Sequence, residues 1–320
     1  MKKTNNARVC VIMATYNGGK YLREQIDSII NQTYKNVTIY VSDDNSTDDT
    51  ISVLNSYKKK LGAERLMFVN NKTNKHGAVH NFAYAYKTAP EADYYMFADQ
   101  DDYWERTKIE EMLNVAEKED ESKPLLVYCD CKVVDKDLKV INESFVRSEK
   151  LMLSDGNKMK QLLLKNYIPG CVMMFNSALR QVSPEIWTKC PIHDWWIALV
   201  AERMGKIVFY DKALNLYRQH DNNTLGAADT NNDTAIKKRP HLSKIFSYKT
   251  AFASWRANSN EIRDQIEGLR NMFGDSGRNG RVVKDLSDAL SKKTYMSRLR
   301  ALRKGRFYPY VKWTIIKLAY

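Results

Sequence analysis

The sequence predicts an α/β protein with a twisted, mostly parallel sheet flanked by helices and a basic helical extension at the C-terminus. The sheet is predicted because short apolar runs alternate with amphipathic helical patterns over residues 9–98. Right-handed crossovers set such strands side by side and gather their loops at one edge. The extension is predicted from charge, since residues 237–320 hold 20 of the 51 Lys/Arg but only 6 of the 38 Asp/Glu.

The first strand is predicted over residues 9–14, a continuous apolar run typical of a parallel strand that is covered on both faces. A helix should follow, because Leu22, Ile26 and Ile29 fall on one helical face. Residues 37–41 form the second predicted strand.

The second helix is predicted to end at the triple lysine 58–60, where positive charge suits the helix dipole. Residues 66–69 form the third predicted strand, and Val79 and Phe82 mark the helix after it. The fourth strand covers residues 94–98. The predicted order is therefore βαβαβαβ.

Three carboxylates, those of Asp99, Asp101 and Asp102, follow the fourth strand within four residues. Like charges ~4 Å apart repel by roughly 4 kcal/mol at an effective dielectric of about 20, so the cluster needs solvent, raised pKa values or a divalent cation. Oxygen ligands at this spacing suit Mg²⁺ or Mn²⁺. A solvated acidic turn is the alternative, but ligands collect at the carboxyl ends of strands in open α/β sheets, which favours the metal.

The composition is that of an ordinary globular protein, with 320 residues of which 43% are hydrophobic. The five cysteines include no CxxC pair, so reduced, buried thiols are expected. Residues 1–6 lack the apolar stretch of a secretion signal, which predicts a cytoplasmic protein. The predicted domains are an α/β domain at residues 1–226, a linker at 227–239 and the basic helical region at 240–320.

Three motifs together resemble the family 2 glycosyltransferases, which have a GT-A fold, a Rossmann-like fold of nucleotide-diphospho-sugar transferases. They are residues 14–17 at the end of the first strand, residues 43–48 after the second strand, and residues 99–102. The resemblance covers residues 8–226. Residues 217–226 resemble the rhamnosyltransferase-like branch of bacterial polysaccharide enzymes.

The resemblance implies transfer of a sugar such as rhamnose, glucose or galactose from a UDP- or dTDP-sugar to a hydroxyl of a glycan acceptor, with inversion. A lipid-linked acceptor of cell-surface polysaccharide synthesis is expected. Mn²⁺ or Mg²⁺ is the implied cofactor, bound by Asp101, while Asp99 faces the ribose and sugar of the donor. Asp102 is expected in a supporting role.

The implied nucleotide pocket lies after the first two strands. Tyr16 would stack on a pyrimidine and Asp44 would accept its ring N–H, with the backbone of Ala14 and Thr15 completing the pocket. The alternative for Tyr16 is a core aromatic that closes the strand. Asn81 is expected either to reach the ribose or to be a polar group on a helix surface.

Inversion also needs a base that takes the acceptor proton, and Asp194 is the candidate. It precedes an apolar helical stretch, so capping that helix is its alternative role. The family often has Glu at the preceding position, where this chain has His193, so either an imidazole tunes the site or the motif is misaligned. Trp195 and Trp196 would stack on acceptor sugars or simply pack.

His220 and Asn223 follow a predicted strand at residues 214–218. By the family pattern His220 completes the metal shell or contacts the diphosphate, and Asn223 supports it. The alternative is that His220 is an ordinary surface or hydrogen-bonded histidine.

Cations stand beside aromatic residues from Lys292 to Tyr320, a composition that suits an anionic membrane surface. The expected location is therefore peripheral, at the inner face of the cell membrane. A helical subdomain with solvated charge is the alternative.

Two rival functions start from the same residues. A metal-dependent phosphohydrolase with an aspartyl nucleophile would use Asp99 and Asp101, but the Thr that usually follows the second acid is missing. A nucleic-acid-binding protein would explain the basic region. It leaves the acidic loop without a purpose, so no nucleic-acid partner is expected.

Overall fold

The structure is a computed structural model that describes residues 6–148, 158–220, 260–277 and 279–307. The strands are β1 (Val9–Thr15), β2 (Val37–Asp43), β3 (Leu66–Asn70), β4 (Tyr94–Ala98), β5 (Tyr103–Trp104), β6 (Leu125–Val134), β7 (Val140–Asn142), β8 (Met173–Asn176) and β9 (Lys206–Arg218). The helices are α1 (Gly19–Ile30), α2 (Thr50–Leu61), α3 (Ala78–Thr88), α4 (Lys108–Ala116), α5 (Phe145–Ser148), α6 (Lys158–Leu162), α7 (Ser177–Val182), α8 (His193–Met204), α9 (260–273), α10 (Gly280–Leu290) and α11 (Tyr295–Lys304).

Within the described residues, nine strands form one sheet in the order β3-β2-β1-β4-β8-β6-β9-β5, with β7 paired to β6. The first four of these strands are parallel, so the predicted βαβαβαβ order and α/β class are confirmed. β8 runs antiparallel to both β4 and β6, whereas β6 and β9 are parallel. The second half of the sheet is therefore mixed.

The chain divides into two compact units. The first comprises residues 1–152, 167–188 and 192–218, and the second comprises residues 153–166, 189–191 and 219–320. Residues 227–239, the predicted linker, and the following residues 240–259 lie outside the described part of the chain, so the predicted domain boundaries stay predictions.

The second unit contains α9, α10 and α11. Thr294 begins α11 with a reciprocal capping box to Ser297, which satisfies amide groups that the first helical turn leaves open. At the other end of α11, Lys160 donates to the carbonyl of Gly305 at 2.6 Å and lies 4.9 Å from the ring of Phe307. No helix among the described residues is long and apolar enough to cross a bilayer.

The core of the first unit lies on both sides of β1 and β4, whose residues are almost entirely buried. The ring of Phe97 contacts those of Tyr86 and Phe175 at centroid distances of 6.2 and 5.3 Å. All five cysteines are buried and none of them forms a disulfide, as the sequence predicts. Burial raises the pKa of Cys10 to about 12 and that of Cys129 to about 11.

Asn176, at the end of β8, joins three segments through all of its side-chain hydrogen-bonding capacity. Its Oδ1 accepts from the amides of Leu125 and Leu179, both at 3.0 Å. Its Nδ2 donates to the carbonyls of Glu121 and Lys123 at 3.1 and 2.8 Å. One amide therefore caps α7 and fixes the start of β6.

Replacing this amide should destabilise the first unit. We expect Asn176→Ala to lower the free energy of unfolding by about 2–4 kcal/mol, because it leaves buried backbone groups unpaired. Urea unfolding followed by circular dichroism measures the change. Asn114 is exposed on α4, so Asn114→Ala should change the stability by less than about 0.5 kcal/mol. Equal stability of the two variants would contradict the assignment.

Candidate functional site

The candidate site lies at the carboxyl ends of β1, β2 and β4, where three loops meet. Tyr16, the first residue after β1, has 58% of its surface exposed. The alternative of a core aromatic at this position is therefore wrong. The next residue, Asn17, has φ 47°, and its amide donates to Ser46 of the loop after β2 at 2.9 Å.

The carboxylate of Asp44 is almost fully buried after β2. Its Oδ1 accepts from Asn71 at 3.0 Å and contacts Nδ1 of His76 at 2.8 Å, and its Oδ2 accepts from the amide of Gly77 at 2.8 Å. Three protein donors therefore already surround Asp44, and Oδ2 keeps one acceptor position.

Asn81 ties the ends of β1 and β2 together. Its Nδ2 donates to the carbonyls of Thr15 and Ser42 at 3.2 and 2.9 Å, and its Oδ1 accepts from the Ser42 hydroxyl at 2.6 Å. The residue is 2% exposed. The helix-surface interpretation is therefore wrong, and the amide is bonded to protein where a ribose contact was the other expectation.

Thr15, in the predicted pocket, also makes hydrogen bonds within the protein. Thr15 is buried and its hydroxyl donates to Asp43 at 2.7 Å. The Thr15 carbonyl accepts from the amide of Asp44 at 2.8 Å. Ala14 is half-buried.

Asp102 is the most buried carboxylate of the acidic loop, with no exposed surface. Its Oδ2 accepts from Asn215 at 2.8 Å and its Oδ1 from the amide of Arg218 at 3.1 Å. Burial, followed by the charge of Asp101, raises its pKa to about 6. Asp102 is thus bonded into the protein, and its expected supporting role stays a prediction.

Asp99 and Asp101 are the more open acids of the loop, each half-buried. Burial raises the pKa of Asp99 well above its usual value, and the charges of Asp102, Asp101 and Asp194 raise it further. The Asp101 carbonyl accepts from Nε of Arg218 at 2.7 Å, which fixes the loop backbone.

Ligand atoms of Asp99, Asp102 and Cys171 all lie within 4.8 Å of one another. Carboxylate oxygens are suitable ligands for a hard divalent cation, so this end of β4 fits a metal. Asp101, the predicted ligand, is outside this group of three, and its role as a ligand stays a prediction.

Lys108 is a buried cation that the sequence analysis missed. Its Nζ donates to the Cys171 carbonyl at 2.5 Å and to Oδ1 of Asn215 at 3.0 Å, and it lies 3.7 Å from the centroid of the Trp104 ring. Burial lowers its pKa, while the charge of Asp102 acts in the opposite direction. Lys108 therefore links Asp102, through Asn215, to the turn at Gly170–Val172.

Asp194 is bonded to the same turn. Its Oδ2 accepts from the amide of Gly170 at 2.7 Å, and the residue is 5% exposed. Ile192 occupies the N-cap position of α8 and Asp194 lies in the first turn, so the cap alternative is wrong. The Gly170 bond orients the carboxylate.

His193 is buried in an aromatic environment beside Asp194. Its ring stacks on Phe82 at a centroid distance of 3.7 Å and meets Phe97 edge-on at 4.7 Å. Neither ring nitrogen has a hydrogen-bond partner among the described residues. Burial lowers the pKa of His193 to about 3. The imidazole is therefore neutral at ordinary pH and brings no positive charge to Asp194.

The two tryptophans after Asp194 are both buried. Trp196 has no exposed surface, and its Nε1 donates to the Ser183 hydroxyl at 3.0 Å. Stacking of Trp196 on an acceptor sugar is therefore excluded, and the burial of Trp195 favours packing as well.

His220 is half-buried and belongs to the second unit, so its expected role at the metal stays a prediction. Asn223 lies outside the described residues. The signal that would have found Lys108 is its position on the apolar face of α4, four residues before the buried Met112. Asn215 likewise stands between two leucines of an apolar strand.

Removing the buried ammonium should disrupt this region. We expect Lys108→Met to lower the free energy of unfolding by about 3–5 kcal/mol, because Asn215 and the Cys171 carbonyl lose their partner and Asp102 loses a nearby cation. Urea unfolding measures the loss. Lys118 is exposed just after α4, and Lys118→Met is the matched control. A Lys108→Met protein as stable as the control would refute the role of the ammonium.

A family model described as Glycosyl transferase family 2 matches residues 10–183. An uncharacterized glycosyltransferase of Rickettsia typhi is 28% identical, over 71% of this chain and 69% of its own length. The dTDP-rhamnosyl transferase RfbG of Shigella flexneri is 28% identical, over 67% of this chain and 74% of its own. An Escherichia coli UDP-Glc:alpha-D-GlcNAc-diphosphoundecaprenol beta-1,3-glucosyltransferase is 37% identical over 35% of this chain and 42% of its own.

Two solved structures have the same fold. S. aureus TarS 1-349 in complex with UDP superimposes with a TM-score of 0.54 at 17% identity, covering 98% of this chain and 88% of its own. A mannosyltransferase from Pyrobaculum calidifontis in complex with GDP-Man and Mn²⁺ gives 0.54 at 14% identity, covering 98% and 85%. The resemblance seen in the sequence motifs is confirmed: this chain belongs to glycosyl transferase family 2 and has the GT-A fold.

Proposed function

We propose that the first unit is a metal-dependent, inverting glycosyltransferase that moves a sugar from a UDP- or dTDP-sugar to a hydroxyl of a lipid-linked glycan. One observation carries the proposal. Ligand atoms of Asp99 and Cys171 lie within 4.8 Å of each other, and the amide of Gly170, the residue before Cys171, donates to Asp194 at 2.7 Å. A donor-side carboxylate and a candidate base thus meet in one site, as transfer to a hydroxyl requires.

Tyr16 and Asp44 form the nucleotide side of the proposed site. The ring of Tyr16 is exposed while its backbone is fixed, which suits a stacking surface for a base. Asp44 keeps an acceptor position on Oδ2 for the N–H of a pyrimidine ring. Two of the relatives are named as a dTDP-rhamnosyl transferase and a UDP-Glc-dependent glucosyltransferase, which supports a pyrimidine nucleotide donor.

Asp99 and Asp101 are the residues that would face the sugar and hold the cation, since they are the half-buried acids of the loop. Mn²⁺ or Mg²⁺ bound there would offset the negative charge that develops on a diphosphate leaving group. Asp102, which lies in the group of possible ligands with Asp99 and Cys171, would support the cation from the buried side, while Asn215 and the Arg218 amide hold its carboxylate.

Asp194 would take the proton from the acceptor hydroxyl. The Gly170 amide fixes one of its oxygens, Asp194 itself is 5% exposed, and Trp195 and Ile197 just after it are buried. An oriented carboxylate in such surroundings can serve as a general base.

Membership of a glycosyltransferase family leaves the phosphohydrolase and nucleic-acid alternatives without support.

The proposed location is the inner face of the cell membrane. On α11 and just after it, Arg300, Arg303, Lys304 and Arg306 are all exposed, and Met296 is 52% exposed. Residues 292–306 contain no acidic residue. Such a surface attracts anionic lipids by about 1 kcal/mol for each base.

Substitutions at the two proposed carboxylates should separate binding from transfer. We expect Asp101→Asn to abolish Mn²⁺-dependent binding of UDP and dTDP, because a ligand of the cation is lost. Asp194→Asn should keep that binding but lower transfer at least about 100-fold, because the base is lost. Calorimetry and release of nucleoside diphosphate from a panel of UDP- and dTDP-sugars measure the two effects.

Asp137, exposed after β6, provides the control Asp137→Asn, which should behave as wild type. Equal affinity of wild type and Asp101→Asn for the nucleotide with Mn²⁺ would refute the metal assignment. Unchanged transfer by Asp194→Asn would refute the base.

The membrane proposal predicts lipid-dependent sedimentation. Wild-type protein should sediment with vesicles containing phosphatidylglycerol and remain free with phosphatidylcholine alone. The triple variant Arg300→Gln, Arg303→Gln, Arg306→Gln should bind anionic vesicles at least about 10-fold more weakly, because about 1 kcal/mol is lost for each charge. Binding that is equal for both vesicle types would contradict the proposal.

A further inference from the structure

Gln100 lies between the two half-buried acids of the loop, and its side chain is bonded to the backbone of one residue of another loop. Its Oε1 accepts from the Tyr16 amide at 2.9 Å, and its Nε2 donates to the Tyr16 carbonyl at 3.1 Å. The amide therefore pairs with both peptide groups of Tyr16, as a neighbouring strand would. We call this pair of hydrogen bonds the Gln100 clasp.

The clasp connects the loop after β1 with the loop after β4. Backbone pairing between these two strands ends before either loop begins. The last pair of this ladder is Met13 with Ala98. Tyr16 stands three residues beyond Met13, and Gln100 two residues beyond Ala98. The clasp thus extends the connection between the two strands into the loops that carry the exposed Tyr16 ring and the acids.

Gly18 leaves room for the clasp because it has no side chain. A Cβ at Gly18 would lie 2.1 Å from Oε1 of Gln100 and 2.4 Å from its Cδ. The backbone of Gly18 has φ −100° and ψ 2°, a conformation that residues other than glycine also adopt. Space for the Gln100 amide, and not backbone conformation, is therefore what requires glycine at this position.

We propose that Gln100 is a positioning residue that couples nucleotide binding at Tyr16 to cation binding at the acidic loop. The inference rests on the proposed function, because it assigns the nucleotide to Tyr16 and the cation to the loop. A shift of the loop on cation binding would pass through the clasp to the Tyr16 backbone, which carries the ring on which the base stacks. Coupling of this kind is reciprocal, so the nucleotide strengthens cation binding by the same factor.

The coupling is measured as the ratio of the UDP dissociation constants without and with Mn²⁺, by calorimetry, with dTDP used in parallel. We expect Gln100→Ala to reduce this ratio roughly 3- to 20-fold relative to wild type, the range for losing two exposed hydrogen bonds. A residue that only stabilises the fold would change the unfolding temperature and leave the ratio as it is.

Gly18→Ala tests the same clasp by filling the space that the Gln100 amide occupies. The atoms it would displace are the end of a flexible side chain, so the variant should fold and lose the clasp. Its ratio should fall like that of Gln100→Ala. Once Gln100 is alanine, the amide atoms nearest to the added Cβ at Gly18 are gone, so the double variant should equal Gln100→Ala alone.

Two matched controls accompany these variants. Gln181 is an exposed glutamine on α7, and Gln181→Ala should leave the ratio at the wild-type value. A Cβ at Gly19 would meet Oδ1 of Asp49 at 1.7 Å and not Gln100. Any effect of Gly19→Ala should therefore add in full to that of Gln100→Ala.

An unchanged ratio in Gln100→Ala would overturn the inference, as would full additivity of Gly18→Ala with Gln100→Ala. Both results leave the proposed function intact, because wild type still binds the nucleotide with Mn²⁺. Wild-type protein that binds neither UDP nor dTDP would instead overturn the proposed function, and the inference with it.

Discussion

The first unit depends on one buried ammonium, that of Lys108. A buried charge without partners costs several kcal/mol, so the protein must supply acceptors for it. It does so with the Cys171 carbonyl and Asn215, and Asn215 in turn donates to Asp102. The turn that binds Asp194 and the loop that carries the acids are thereby fixed by the same cation. Their relative position is set by hydrogen bonds of defined length, which apolar packing alone does not provide.

Around this centre the loops are held mostly by side-chain bonds to backbone. Arg218 donates to the carbonyl of Asp101, and Asn81 donates to the ends of β1 and β2. The loop backbones that carry the proposed binding residues are thus fixed before a ligand binds. Little conformational freedom is then lost on binding, which lowers its entropic cost. Tyr16 combines both properties, because its backbone is bonded while its ring is exposed.

The sequence was sufficient for the first four strands and their helices, because continuous apolar runs and one-sided helical patterns define parallel βαβ units. The antiparallel β8 was harder, since pairing direction leaves little trace in an apolar run such as residues 171–175. The acids and Asp194 were found from motifs. Lys108 and Asn215 were not, because a polar residue inside an apolar pattern does not reveal which distant carboxylate or carbonyl it will meet. The burial that makes His193 neutral was equally invisible, as it depends on rings of α3 and β4 that only the fold brings near.

The five buried thiols carry a practical consequence for work with the protein. A thiol reacts with oxidants and alkylating agents as its thiolate, and both burial and a raised pKa keep the thiolate scarce. Those of Cys10 and Cys129 are affected in both ways. The folded enzyme should therefore tolerate storage in air without added reductant, and maleimide labelling should report on unfolding, since the sulfur atoms become accessible only when the core opens.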